Sequence, residues 1–173
     1  MQKISKSIDG IIYHTKCQKE YYEKYYPWLV DKSEFIRFGT DLEFFDSGKL
    51  KKSNDYDKYI VCIGASRRDW DTLIKAYKLL DTDIKLKIIG HTDEKYKGIK
   101  GVKQIPFIPV TDMINQIYNA RLCVLPLESF NYSYGQMTFL QQMALGKCVI
   151  AANVPSLNGY ACLLYTSDAA DEG

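Results

Sequence analysis

The chain of 173 residues is long enough for one domain with a full hydrophobic core, or for one domain and part of another. Its 46% hydrophobic and 25% charged residues are ordinary for a soluble protein, and no apolar stretch approaches the about 20 residues that span a bilayer. The formal net charge of +2 is too small and too dispersed to indicate nucleic-acid binding. Five cysteines without paired metal-ligand spacing favour a reduced, cytoplasmic setting and no metal site.

The first predicted elements are a short strand and one helix. Residues 8–13 form an apolar run typical of a strand. The helix is predicted at 16–26, where Thr15 can act as its N-cap and Pro27 ends it because proline has no backbone N–H. The polar stretch 46–58 indicates a surface linker.

Beyond residue 58, apolar runs alternate with helical patterns. The runs begin near residues 59, 84, 103, 121 and 148. The run at 84–90 alternates with lysines, which indicates one partly covered face. Helices are predicted at 71–80, at 112–120 with Thr111 as N-cap, and from Gln136 to the glycine at 146. This alternation predicts an α/β fold with a parallel, doubly wound, Rossmann-like sheet and right-handed crossovers.

A glycine turn before the last helix is the strongest candidate ligand site. Ser133 and Gly135 can turn the chain after the apolar run at 121–125, and the helix then begins. The first N–H groups of a helix are unpaired and carry partial positive charge, so Gly135, Gln136 and Thr138 are placed to hold an anion such as a diphosphate. Such turns are common in α/β domains, so position alone also fits a structural role.

Other candidates follow the earlier strands. Gly64 and Gly90 end two of them, at the sheet edge where doubly wound folds bind ligands. Arg68 could bind phosphate in a bidentate fork, although Arg67 and Arg68 also fit a solvated loop pair. His91 could contact a phosphate or a sugar hydroxyl, but a loop histidine also fits a purely structural role.

The segment 135–150 resembles the donor-binding segment of GT-B glycosyltransferases of the group 1, family 4-like type. The shared core is Met-Ala-x-Gly-Lys-x-Val-Ile at 143–150, with Cys148 where the family prefers proline. In retaining members two glutamates stand eight residues apart, and here Ser133 and Gln141 occupy those positions. Gln141 keeps one carbonyl acceptor for a ribose hydroxyl, whereas Ser133 cannot supply charge, so no catalytic residue is assigned.

Three further stretches resemble the same family. Residues 34–45 are similar to the crossing between the two GT-B domains, and the Gly64 turn is similar to the first βα turn of the donor domain, with Arg68 in place of a lysine. Residues 106–110 correspond to backbone that frames the base. The resemblance implies a donor-binding set of Gly64, Arg68, Gly90, His91, Phe107, Gly135, Gln136, Met137, Thr138 and Gln141.

The resemblance also implies a domain organisation. Residues 1–45 would be the tail of an N-terminal GT-B domain with the interdomain crossing, 46–58 a linker, and 59–161 a truncated nucleotide-sugar-binding domain. Residues 162–173 resemble a translated transposon-end adapter of the kind used in sequencing libraries, which implies that they are not part of the native fold.

The implied function is hexosyl transfer from a UDP- or GDP-linked sugar to an unknown acceptor, without a separate cofactor, and we expect this chain alone to be inactive. A mildly basic balance is compatible with an anionic ligand or an acceptor at a membrane surface. Two alternatives stay open, namely a GT-B nucleotide-sugar epimerase and a non-catalytic Rossmann-like module of receiver or flavodoxin type. The stereochemistry of transfer and the oligomeric state are left open.

Overall fold

The computed structural model describes residues 7–130 and 132–161, so the adapter-like tail at 162–173 lies outside the described residues. The chain divides into two compact units that interleave along the sequence. Among the described residues, the first unit takes 7–38, 129–130, 132–136 and 153–161. The second unit takes residues 39–128 and 137–152.

The first unit contains a small parallel βαβ arrangement. Its elements are β1 (Ile11–Tyr13), α1 (Lys16–Tyr25), β2 (Ser33–Phe35) and the 3-10 helices Pro27–Lys32 and Pro155–Leu157. Thr15 precedes α1 in extended conformation, and its backbone N–H donates to the Gln18 side chain at 3.2 Å. The predicted strand, helix and cap are therefore confirmed, with a shorter strand than the apolar run indicated.

The second unit is built on a five-stranded parallel sheet. Its strands are β3 (Tyr59–Ile63), β4 (Lys85–Ile89), β5 (Val102–Ile105), β6 (Leu122–Leu125) and β7 (Val149–Ala151), in the order β5-β4-β3-β6-β7. Its helices are α2 (Trp70–Leu79), α3 (Val110–Asn119) and α4 (Gln136–Ala144), whose first residue belongs to the first unit. All four strand pairings are parallel, which confirms the predicted fold class.

Hydrophobic side chains cover both faces of this sheet. Alternate residues of β3 point to opposite faces, so Ile63 packs in a cluster with Ile117 of α3, whereas Cys62 packs in another with Leu73 of α2. Ile88 on β4 is fully buried. Burial of one such side chain contributes about 1.5–3 kcal/mol, so the two-sided cover stabilises the strands that position the sheet edge.

The start of α3 differs from the sequence prediction. The helix begins at Val110 with Pro109 at the N-cap, and the Pro109 carbonyl accepts from the Met113 backbone N–H at 3.0 Å. The prediction that Thr111 is the N-cap was therefore wrong. Its carbonyl instead accepts from the Asn115 side chain at 3.0 Å, inside the helix.

Candidate functional site

The strand order creates a switch point between β3 and β6, where the chain stops adding strands on one side and starts on the other. Gly64 ends β3 with φ of 111° and donates to the Ile89 carbonyl at 3.0 Å. Gly90 ends β4 with φ of 89°, and a Cβ added there would lie 3.7 Å from the Gly64 backbone. The two predicted glycines therefore sit side by side and leave bare backbone at the carboxyl edge.

Arg68 lies directly over Gly64. A Cβ added to Gly64 would come within 2.6 Å of Arg68 Nη2. Arg68 is 7% exposed. Its guanidinium donates to the Ile63 carbonyl from Nε at 3.3 Å and Nη2 at 3.1 Å, and to the Ser66 carbonyl from Nη1 at 2.8 Å. A buried arginine with these partners fixes the β3–α2 loop onto the end of β3.

The start of α4 supplies the other predicted group. Thr138, in the first turn, lies with its hydroxyl 3.5 Å from Arg68 Nη2, so Gly64, Gly90, Arg68 and Thr138 are brought together in the second unit. Gly135, with φ of 84°, precedes the helix in the first unit. Gln136 is 1% exposed, and its side-chain amide donates to the Ser156 carbonyl at 2.6 Å within that unit.

The remaining predicted residues are less closely grouped. The His91 ring stacks on Trp70, with ring centroids 4.6 Å apart and planes 5° from parallel. Phe107 is 89% exposed and Met137 is 55% exposed. Gln141 is partly buried on the second turn of α4.

Two charged residues that the site prediction did not include flank the switch point. Arg67 has φ of 52°, which is uncommon for a residue with a Cβ, and its Nη1 lies 3.5 Å from Glu128 Oε2. Glu128 follows β6, and its backbone N–H donates to the Arg67 carbonyl at 3.2 Å. The arginine doublet was visible in the sequence, but only the fold shows which arginine faces solvent.

Asp69 completes the loop as the N-cap of α2. Its carboxylate accepts from the Thr72 backbone N–H at 3.0 Å. Hydrogen bonds from the Thr72 side chain and backbone lower the pKa of Asp69, so this carboxylate is ionised at neutral pH. The cap fixes the direction in which α2 leaves the switch point.

Five buried side-chain polar atoms on four residues have no hydrogen-bond partner among the described residues. They are His91 (Nε2), Ser133 (Oγ), Gln142 (both amide atoms) and Ser156 (Oγ). Gln142 and Ser156 are fully buried. Ser133 and Ser156 belong to the first unit. There the backbone carbonyl of Ser156, rather than its hydroxyl, accepts from the Gln136 side-chain amide. Unpaired polar atoms of this kind are rare in folded proteins.

Two concave surfaces lie away from the switch point. One, of about 650 Å³, is lined by Tyr77, Lys85 and Gly101 at the amino edge of the sheet. The other, of about 590 Å³, lies beside the edge strand β5 and is lined by Tyr96 and Gln104. Within residues 7–130 and 132–161, no three His, Cys, Asp or Glu side chains group to hold a metal ion, and no helix is long and apolar enough to cross a bilayer.

Comparisons with known proteins agree with this architecture. The family model for glycosyl transferases group 1 matches residues 57–171. A crystal structure of a glycosyltransferase from Rickettsia africae ESF-5 superposes with a TM-score of 0.69 at 16% sequence identity, over 87% of this chain and 46% of that chain. The chain therefore spans less than half the length of that glycosyltransferase, and the likeness at this identity concerns the fold. None of the curated proteins matches the sequence.

Proposed function

The chain belongs to the glycosyl transferases group 1 family, and we propose on that premise that it binds the nucleoside diphosphate of a sugar donor at the β3–β6 switch point. The observation that carries the proposal is the convergence of Gly64, Gly90, Arg68 and Thr138 at one carboxyl edge. Bare glycine backbone admits a ligand close to the sheet.

The chemistry of this edge suits a diphosphate. In sugar transfer, the bond between the anomeric carbon and the diphosphate oxygen breaks, and an acceptor hydroxyl oxygen bonds to that carbon as its O–H bond breaks and the proton is released. The leaving diphosphate gains negative charge, which cationic side chains and helix-terminus N–H groups can neutralise. The first turn of α4 supplies N–H groups of this kind, and Thr138 adds a hydroxyl in the same turn.

The donor proposed is a UDP- or GDP-linked hexose. Gln141 can accept from one ribose hydroxyl and donate to another group, and the exposed Phe107 after β5 offers a ring for the base. The acceptor, including one at a membrane surface, is not assigned to any described residue. Because the chain spans 46% of the matched glycosyltransferase, binding is a better measure of this proposal than turnover.

Calorimetric titration with UDP, GDP and their sugar conjugates tests the proposal. We expect one nucleotide to bind and inorganic pyrophosphate to compete with it, because the diphosphate is the shared group. Thr138→Ala should weaken binding. Lys85→Ala is the matched control, since it removes a cation from the cleft at the opposite sheet edge. The absence of binding to every nucleotide, or a loss confined to Lys85→Ala, would refute the proposal.

A further inference from the structure

The polar stretch before β3 is held against the second unit at both of its ends. Phe45, 6% exposed, packs in the cluster that contains Ile117 of α3, and Leu50 packs against the same cluster. At the other end Tyr59 begins β3 and is also buried. Residues 51–58, the strap, run between these two anchors. Both ends of the strap are therefore fixed, and it can move only as a closed loop.

Asn119, the last residue of α3, bonds to the strap twice. Its side-chain oxygen accepts from the Ser53 backbone N–H at 2.7 Å, and its backbone carbonyl accepts from the Asp57 backbone N–H at 2.9 Å. Its side-chain nitrogen donates to the Asn115 carbonyl at 2.9 Å, so the helix fixes the orientation of the amide. Asn119 is buried, and a buried amide needs hydrogen-bond partners of this kind.

Lys147 contacts both the strap and the end of α3. Its ammonium donates to the Tyr118 carbonyl at 2.9 Å. This carbonyl lies in the last turn of α3, where backbone acceptors are unpaired within the helix and a cation is favoured by the helix dipole. The same nitrogen lies 5.4 Å from the centre of the Tyr56 ring, and the Lys52 ammonium lies 4.3 Å from it. Both distances are within the range of cation–π contacts, so the ring joins the strap to Lys147.

Lys147 is part of the Met-Ala-x-Gly-Lys-x-Val-Ile core at 143–150, which the proposed donor site does not use. Lys147 precedes β7, and its partners Tyr118 and Tyr56 precede β6 and β3. Because these strands are parallel, all three residues lie at the amino edge of the sheet. The proposed donor site lies at the carboxyl edge. The contacts of this lysine are therefore with the strap and α3.

The strap is held less firmly than the sheet that it borders. Every strap residue except Tyr56 is exposed, whereas Val61 in the middle of β3 is fully buried. Asp55 lies 3.7 Å from the Lys87 ammonium, but the Asp55 side chain is 69% exposed, so water screens this ion pair. Segments with exposed backbone and few buried side chains open at a lower free energy than the core of a protein.

We propose that the strap opens and closes as one piece while the sheet stays folded, and that Lys147 is the positioning residue that holds it closed against α3. The strap is then a conformational element of the second unit rather than the surface linker that its polar composition indicates. This inference goes beyond the proposed function and is independent of it, because the contacts that carry it lie at the opposite edge of the sheet from the proposed donor site.

Native-state hydrogen exchange at the Ser53 and Asp57 amides tests the inference. After correction for intrinsic rates, both amides of the parent chain should show one shared opening constant, at least about tenfold larger than that of the Val61 amide in β3. Lys147→Met should raise exchange of both strap amides about tenfold, through loss of a charged hydrogen bond, although neither amide loses its own acceptor. Lys147→Arg should restore slow exchange, because a guanidinium can donate to the same carbonyl and stack on the same ring.

Asn119→Ala tests whether the strap moves as one piece. The variant removes the acceptor of Ser53 and keeps the backbone carbonyl that accepts from Asp57, yet exchange of both amides should rise by the same factor. Tyr56→Leu should also raise both rates, whereas Tyr56→Phe keeps the ring and should match the parent chain. Lys75→Met is the matched control for the lysine variant, since it removes an exposed ammonium from α2, and it should change neither rate.

Four results would overturn the inference. Strap amides that exchange as fast as in an unfolded chain would show a free linker. Strap amides with the opening constant of Val61 would show that the strap opens only when the sheet unfolds. An unchanged rate in Lys147→Met, or a rate in Lys147→Arg as fast as in Lys147→Met, would show that the charge of Lys147 does not hold the strap. A rise at Ser53 alone in Asn119→Ala would show that the strap residues move independently.

Discussion

Gly64 occupies a backbone conformation that other residues rarely adopt. Its φ is 111°, and an added Cβ would lie 2.6 Å from Nη2 and 3.1 Å from Cζ of Arg68. Gly64→Ala should therefore lower the free energy of unfolding by about 1–3 kcal/mol, from backbone strain and from displacement of the arginine. Urea unfolding measures this change.

Gly39→Ala is the matched control for that substitution. A Cβ at Gly39 would meet no atom within 4 Å, and its φ lies outside the left-handed region. We expect this variant to be neutral or slightly more stable, because alanine reduces the freedom of the unfolded chain. Equal destabilisation of both variants would contradict the role given to Arg68 above Gly64.

The two arginines show how far single residues can be interpreted from sequence. The pattern of a strand ending in glycine, followed by two arginines and a helix, predicted a charged loop at the correct sheet edge. The local pattern alone did not separate the two arginines, and the family resemblance selected Arg68. The bridge from Arg68 to Leu127, far along the chain, left no signal in that pattern. The donor-binding role of these residues stays a prediction.

The packing of the Glu94–Tyr96 3-10 helix against α2 depends on one carboxylate. Asp71 accepts from Lys95 Nζ at 2.6 Å and from the Tyr96 hydroxyl at 2.7 Å. Both hydrogen bonds lower the pKa of Asp71, and the bond from Lys95 has the larger effect. Burial, followed by the bond to Asp71, raises the pKa of Tyr96 to about 12. The lowered pKa of Asp71 and the raised pKa of Tyr96 are both consistent with the hydrogen bond from the Tyr96 hydroxyl to Asp71.

The acid dependence of this contact follows from the lowered pKa. A carboxyl whose pKa is lower in the folded state stabilises the fold above its unfolded pKa, and this contribution is lost as pH falls through the folded value. Carbon NMR titration should show Asp71 titrating below about 3.9, the ordinary value for aspartate. Lys95→Ala should raise the Asp71 pKa most and Tyr96→Phe less.

Lys75→Ala serves as the control in this titration. Lys75 acts on Asp71 only through longer-range charge, the smallest of the causes that lower its pKa. Its removal should therefore move the Asp71 pKa least. A larger effect from Lys75→Ala than from Lys95→Ala would show that the hydrogen bonds do not set the titration.

Whole elements could be predicted well because periodicity is a local property. The five strands and the helices at 70–79 and 136–144 lie where the apolar patterns placed them. The lysines of β4 indicated a partly covered face, yet Lys87 is only 9% exposed. Its ammonium lies 3.4 Å from the centre of the Tyr59 ring and donates to Gln116 at 3.0 Å, and burial lowers its pKa. Partners on other elements, which periodicity does not encode, made this burial possible.

At the scale of the whole molecule, the fold class was predictable and the grouping of segments was not. Alternating strands and helices are sufficient to predict a parallel sheet. The first unit, however, joins residues near both ends of the described chain with a short segment at 129–136. Such long-range grouping leaves no periodic signal, and the predicted boundaries at 45 and 58 stay a prediction.

Tyr160 shows what holds the distant segments of the first unit together. Its hydroxyl donates to the His14 carbonyl at 2.9 Å and accepts from the Phe38 backbone N–H at 2.8 Å. The His14 ring also stacks on Phe38, with centroids 3.8 Å apart, and its Nδ1 lies 2.6 Å from the Ile36 carbonyl. The Tyr160 hydroxyl therefore bonds to two residues that precede it by 122 and 146 positions, Phe38 and His14.

Tyr160→Phe tests this connection without altering the aromatic packing. The variant removes the hydroxyl that donates to the His14 carbonyl and accepts from the Phe38 backbone N–H. Each lost hydrogen bond costs about 0.5–1.5 kcal/mol. We expect faster hydrogen exchange at the Phe38 amide and a lower free energy of unfolding. Tyr25→Phe, at a ring that is 50% exposed on α1, should leave both unchanged. Unaltered exchange at Phe38 in Tyr160→Phe would show that packing of the rings, rather than the hydroxyl, joins these segments.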